Sequence, residues 1–129
     1  MIVLDTAALI LWLRDESRLS IAAQEAISGE MRQGEIAIST ISVLDIAKYI
    51  EDGRLELSVS ARSWLSTLAT IEGLRVIPVD LAIAVRAATM SPSLTSHQRL
   101  ILATARVLGG ALITPDARLR EHTHGDSIW

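Results

Sequence analysis

Two acids in this chain stand in the same local setting, at the exit of a short apolar run. Ile2-Val3-Leu4 leads into Asp5, and Leu112-Ile113-Thr114-Pro115 leads into Asp116. An acid at the carboxyl end of a buried strand faces the crevice where open α/β sheets place their ligands. Taking a carboxylate out of water is costly unless a cation or hydrogen-bond donors compensate it. The placement therefore points to a metal site, to helix capping, or to both, since Asp is also a favoured N-cap. Asp45 is a third acid of interest, set in the apolar segment Ile41-Ser42-Val43-Leu44-Asp45-Ile46-Ala47. It reads either as the acid of a Ser42-x-x-Asp45 capping box or as a carboxylate turned inward from a first helical turn, beside Asp5. A few carboxylates suffice for a hard divalent ion such as Mg²⁺, which keeps several waters.

The elements that must position these acids follow from periodicity and stop signals. Residues 2–5 read as a buried strand and Thr6 to Leu13 as a helix. Ser20 resembles an N-cap for a helix through Met31, which Gly34 breaks. Ile36–Ser39 is a second strand, and Ser42 to Tyr49 or Glu51 a helix stopped by Asp52-Gly53. A helix from Ser60 to Ile71 precedes a strand over Leu74–Val79, and Asp80 can cap a helix over Leu81–Thr89. Met90 to Ser96 reads as a loop, His97 to Leu108 as an apolar helix ended by Gly109-Gly110. The Leu112 strand, a short helix over Asp116–Arg120 and a possible final edge strand complete the chain. Short strands alternating with helices predict one α/β domain over residues 1–129 with a mainly parallel sheet.

Composition narrows the chemistry. The 129 residues are long enough to bury a core, and with no Phe that core is built from Leu, Ile, Val and Ala. Absence of Cys removes disulfides, thiolate nucleophiles and Cys-ligated zinc, and fits a reducing cytoplasm. Arg14, Asp15 and Glu16 interrupt the first hydrophobic stretch, so no membrane span is expected, nor a secretory signal. A net charge of −3 gives no general footprint for nucleic acid. An acidic site loaded with divalent cations, however, changes sign locally. His97 reads as solvent-facing, and His122 and His124 as a surface tail. Lys48 reads as a surface ion-pairing residue, while Arg54 suits either a local acid or a phosphate.

Five segments in this order resemble the PIN domain and, within it, VapC-type ribonuclease toxins. They are Ile2-Val3-Leu4-Asp5-Thr6, Ile38 through Ala47, Gly53-Arg54-Leu55-Glu56-Leu57, Arg99 through Ala105, and Leu112 through Asp116. The resemblance implies a three-layer α/β/α sandwich with four to five strands. It also implies Mg²⁺- or Mn²⁺-dependent endonucleolytic cleavage of RNA by a homodimer restrained by an antitoxin. Asp5 and Asp116 match the first and last acids of the family, and Asp45 stands where the family normally has Glu. The third acid is expected at position 98, where this chain has Gln98, and a further one at position 95, where it has Thr95. Gln98 is expected to offer its carbonyl oxygen to the ion without contributing charge. Reduced turnover follows, or an inactive module that only binds its antitoxin. Asp80 and Asp126 are the acids to inspect for compensation. Thr6 and Thr114 are expected to orient the acids, Ser39 and Ser42 to cap, and Arg99 to stand at the rim of the site. Apolar faces of the first two helices, with Trp12, are core or a partner surface.

Overall fold

The computed structural model describes residues 1–56 and 60–129. Five strands, β1 (Ile2–Leu4), β2 (Ile36–Ser39), β3 (Leu74–Ile77), β4 (Ala111–Ile113) and β5 (Ser127–Ile128), form one parallel sheet in the order β3-β2-β1-β4-β5. Ile2 lies opposite Ile36 and Ala111, and Val3 opposite Ala37 and Leu112. Side chains alternate across a strand. Ile2, Leu4, Ile36, Ile38 and Ile113 accordingly enter one core, and Val3, Ala37 and Leu112 the other.

Helices cover both faces. The first core is closed by α1 (Thr6–Arg14), α2 (Ile21–Gln33), α3 (Thr40–Glu51) and α4 (Ala61–Leu68), through Leu9, Ile27, Ile46 and Leu68. The second is closed by α6 (Ser96–Leu108) and α7 (Ala117–Glu121), through Ile101, Leu102 and Leu119. α5 (Leu81–Ala88) packs Ile83 and Ala87 against Ala103 of α6. With both faces covered, β1 and β2 are buried throughout, which is why they read as continuous apolar runs. Shortening Ile38, which is fully buried, to Ala would cost about 2–5 kcal/mol.

Several boundaries differ from the sequence reading. α3 starts at Thr40, with Ser39 as its N-cap accepting the Ile41 N–H at 3.1 Å. Asp45 therefore sits in the second turn rather than in a capping box, and Ser42 is not the cap. α6 starts at Ser96 on a Thr95 cap, one residue earlier than expected, and Gly109 ends it in the left-handed conformation. β3 stops at Ile77 and α4 at Leu68, and a 3-10 turn at Glu16–Arg18 was not foreseen. Leu57, part of one family-like segment, lies outside the described residues.

The strand order decides where a ligand can sit. From β1 the chain moves outward to β2 and β3, then returns to the other side of β1 for β4 and β5. The order reverses between β1 and β4, and the crevice beyond their carboxyl ends is the expected binding place in an open parallel sheet. Asp5 and Asp116 follow those two strands.

Candidate metal centre

Asp5 is buried at the exit of β1, where its N–H donates to Ile113 O at 3.1 Å and ties it to β4. Its Oδ1 accepts the Ala8 N–H at 2.8 Å, capping α1. Its Oδ2 accepts from the Thr114 hydroxyl. Thr114 Oγ1 in turn accepts the Asp116 N–H at 3.0 Å, so one buried threonine sets both acids. Asp116 caps α7, its Oδ1 accepting from Arg118 N at 2.9 Å and Leu119 N at 3.3 Å. Burial, with a smaller contribution from the Asp116 charge, outweighs the lowering effect of the Thr114 and Ala8 hydrogen bonds and pushes the Asp5 carboxyl up to about 6. Capping and a place in the acid cluster coexist at both residues.

Asp45 reaches the same crevice from α3 and is buried. Its Oδ2 accepts from the Thr6 hydroxyl at 2.8 Å, and Thr6 Oγ1 lies 2.9 Å from Ser42 Oγ. Its Oδ1 is hydrogen-bonded to His97 Nδ1. His97 is thus not simply solvent-facing: from the first turn of α6 it lines the pocket and reaches Asp45, with 43% of its side chain exposed.

Gln98 departs from its expected role. Its Oε1 accepts the Thr95 N–H at 2.9 Å while Thr95 Oγ1 accepts the Gln98 N–H at 3.1 Å, a reciprocal capping box. A backbone N–H can only donate, so the carbonyl end of the amide must face Thr95. The NH₂ end then faces Asp116 Oδ2, at 2.9 Å, which can only accept. Gln98 therefore presents a donor to the acids, not the carbonyl oxygen that the sequence suggested.

Asp5, Thr6, Asp45, Gln98 and Asp116 line one cavity of about 410 Å³, joined by Lys48, Tyr49 and His97. Thr114 sits beneath it, bonded to Asp5. Lys48 makes no ion pair among the described residues, so the expected surface pairing is replaced by a cation at the pocket. Tyr49 escaped the sequence reading, although it follows Asp45 by one helical turn, the spacing that places side chains on one face. Burial raises its hydroxyl pKa, and the nearby Asp45 charge adds to this. Arg54 stacks over the Tyr49 ring, 4.5 Å from its centroid, rather than pairing with an acid.

Arg99 is also corrected: its Nε donates to Leu94 O at 3.0 Å and it does not line the pocket. The side chain staples the 91–95 segment to α6 instead. Asp80 caps α5 through Ile83 N, and Asp126 lies beside Gly109 and Gly110, so neither replaces the missing acid. His122 donates from Nδ1 to Arg118 O at 2.8 Å and, among the described residues, belongs to no group of ligands with His124.

The donor set fits a hard divalent ion held largely by water. Three carboxylates line one cavity, and such ions need only one or two carboxylates with water completing the shell. Among the described residues no three acids or histidines gather closely enough to enclose an ion by themselves. A cation here would also compensate the buried Asp5 carboxylate, whose pKa is raised by burial and, to a smaller extent, by the Asp116 charge.

The sequence matches the PIN domain over residues 2–124. The chain belongs to the PIN-domain family. It is 34% identical over 125 residues to ribonuclease VapC22 of Mycobacterium tuberculosis, across 95% of this chain and 92% of that protein. Two solved structures share the fold of this PIN-domain chain. A toxin–antitoxin complex from Klebsiella pneumoniae aligns with a TM-score of 0.69 at 18% identity, over 100% of this chain and 97% of that one. VapBC2 from Rickettsia felis, bound to a DNA fragment from its promoter, aligns with a TM-score of 0.69 at 12% identity, over 100% of both chains. The PIN sheet and its flanking helices are those expected from the sequence. No helix among the described residues is long and apolar enough to cross a membrane.

Proposed function

We propose that this PIN-domain chain is a divalent-metal-dependent endoribonuclease, the toxin of a VapBC-like toxin–antitoxin pair. The observation that carries the reading is the convergence of Asp5, Asp45 and Asp116 on one crevice at the β1–β4 switch point. The 34% identity to a ribonuclease supports the same conclusion. Asp5 and Asp45 would hold the ion, which is Mg²⁺ or Mn²⁺, with Asp116 completing the acidic crevice beside it. When bound, it supplies Lewis-acid stabilisation of the charge that develops on a phosphodiester.

The chain's own residues do the rest. Thr114 and the Ala8 N–H fix the two oxygens of Asp5, so the buried carboxylate keeps one orientation. Thr6 and His97 do the same for Asp45 from opposite sides. Lys48, without an ion pair among the described residues, lines the pocket and attracts an RNA phosphate towards the acids. Gln98 supplies no charge, and turnover is reduced relative to a site with a carboxylate there. The chain acts as one domain over residues 1–129, as a homodimer in the cytoplasm, with an antitoxin protein as its regulator.

The test is RNA cleavage by the purified chain with Mg²⁺ or Mn²⁺, repeated with EDTA and with Asp5→Asn. Cleavage that requires the ion and Asp5 is expected. A second reading, an inactive module that binds its antitoxin, draws on the hydrogen bond by which Gln98 occupies Asp116. Antitoxin binding without any metal-dependent cleavage would favour that second reading.

A further inference from the structure

We propose that the Gln98 side-chain amide stands in for a cation at Asp116, making this acidic pocket a centre for a single divalent ion. The inference rests on the reading of the pocket as a metal centre. Asp116 differs from the other two acids in what already occupies it. Its Oδ1 takes two backbone N–H groups, from Arg118 and Leu119, and its Oδ2 takes Gln98 Nε2 at 2.9 Å. Each oxygen of Asp5 and Asp45 takes one hydrogen bond and keeps a further acceptor direction, whereas Asp116 keeps one only on Oδ2, beside the Gln98 amide hydrogens.

Gln98 cannot simply turn round to help an ion. Reversing its amide would set NH₂ against the Thr95 N–H and the carbonyl against Asp116 Oδ2. Two hydrogen bonds would become two contacts between like poles. In its fixed orientation the amide brings partial positive charge to Asp116, and the same hydrogens repel a cation approaching Oδ2. A carboxylate at position 98 would act in the opposite sense. One of its oxygens could keep the Thr95 bond while the other met Asp116, a like-charge contact that a cation relieves. The residue at 98 thus sets the number of ions: the amide closes Asp116 and a carboxylate opens it.

The experiment counts Mn²⁺ bound to the full chain by isothermal titration and electron paramagnetic resonance. A single ion is expected for the unaltered chain and for Asp116→Asn, and a second ion for Gln98→Glu. Gln98→Glu retains the capping acceptor, and its melting temperature is expected to rise more with Mn²⁺ than that of the unaltered chain. A metal-free arm follows the Gln98 side-chain NH₂ resonances, which should shift on Asp116→Asn. Zero or two ions on the unaltered chain, an unchanged count in Gln98→Glu, or unmoved NH₂ resonances would overturn the proposal. RNA cleavage is scored separately. Cleavage with two ions bound leaves the ribonuclease reading intact and removes this one. A single ion with the expected Gln98 responses but no cleavage does the reverse.

Discussion

The floor and the lip of the acidic pocket are built by different means. The floor is Asp5, buried, with its oxygens held by the Ala8 N–H and the equally buried Thr114. The lip is the first turn of α6, where consecutive residues reach different acids: His97 bonds Asp45 and Gln98 bonds Asp116. His97 and Gln98 are both part-exposed. Backbone geometry and burial over-determine the floor, whereas the lip depends on two side chains and on where one helix begins. The floor should therefore respond to substitution in stability and activity together, and the lip chiefly in how the ion and substrate are handled.

The largest effect that tests this contrast is at Asp5. Asp5→Asn removes the central charge and should lower RNA cleavage by at least ~100-fold, a loss typical of removing transition-state charge stabilisation. The same change should stabilise the metal-free protein. Burial lifts the Asp5 carboxyl from 3.8 to about 6, so the folded state holds its proton more tightly than the unfolded state. Its contribution is most favourable below about pH 4, and is lost as pH rises through about 6. At pH 7 relief of that strain is on the order of 3 kcal/mol, at about 1.4 kcal/mol per pKa unit. Urea unfolding in EDTA, from pH 4 to 7, should show falling stability for the unaltered chain and a flatter profile for Asp5→Asn. Equal slopes would mean that Asp5 is not charged at a cost in the floor.

Thr114→Val probes the floor without touching a carboxylate. It removes the donor to Asp5 and the acceptor of the Asp116 N–H while keeping the shape of the side chain. A cost of about 1–3 kcal/mol in stability is expected from leaving buried polar groups unpaired. A loss of roughly 10-fold or more in metal affinity should accompany it, as for other partners that orient ligands. Thermal melting and Mn²⁺ titration of one preparation read both.

What was legible in the sequence divides along the same line. Asp5, Asp116, Thr6 and Thr114 could be found because strand exits in a parallel sheet have a fixed direction and a known crevice. The three-layer fold followed from the alternation of buried strands with apolar helices. The lip was misread for a local reason. A lone histidine at a helix start reads as solvent-facing, and residue types do not show that the phase of α6 aims His97 at Asp45 and Gln98 at Asp116. The inward reading of Asp45 stands, but the Ser-x-x-Asp pattern at Ser42 suggests a helix start that Ser39 already provides, so Asp45 lies one turn deeper than the pattern implies. The reversal of the Gln98 amide could not be read from residue types, because it depends on the Thr95 N–H as a competing donor.

His97 offers the intermediate case. His97→Ala removes the lip's hold on Asp45 but leaves Thr6 bonded to its other oxygen. Thr6→Val, on the buried side, should cost about 10-fold in metal affinity, and His97→Ala about threefold, at or below the lower end of such effects. Parallel Mn²⁺ titrations of the two variants decide it. A larger loss at His97 would make the lip, not the buried threonine, the principal support of Asp45.

The smallest effects separate the two cations nearest the lip. Lys48 lines the pocket without an ion pair among the described residues, so Lys48→Ala should raise KM for RNA a few-fold. It should also reduce the salt dependence of binding by about 0.7 in log–log slope, as for one lost contact to a single strand. Arg99 points away and holds the Leu94 carbonyl at 3.0 Å. Arg99→Ala should therefore leave KM and the salt slope unchanged, while costing about 0.5–1.5 kcal/mol of stability for the hydrogen bond. Salt titrations of RNA binding, made in EDTA to exclude turnover, distinguish the pair. If Arg99 rather than Lys48 carried the salt dependence, the RNA would cross the outer face of α6. The substrate path would then leave the acidic cavity on the side of the 91–95 segment.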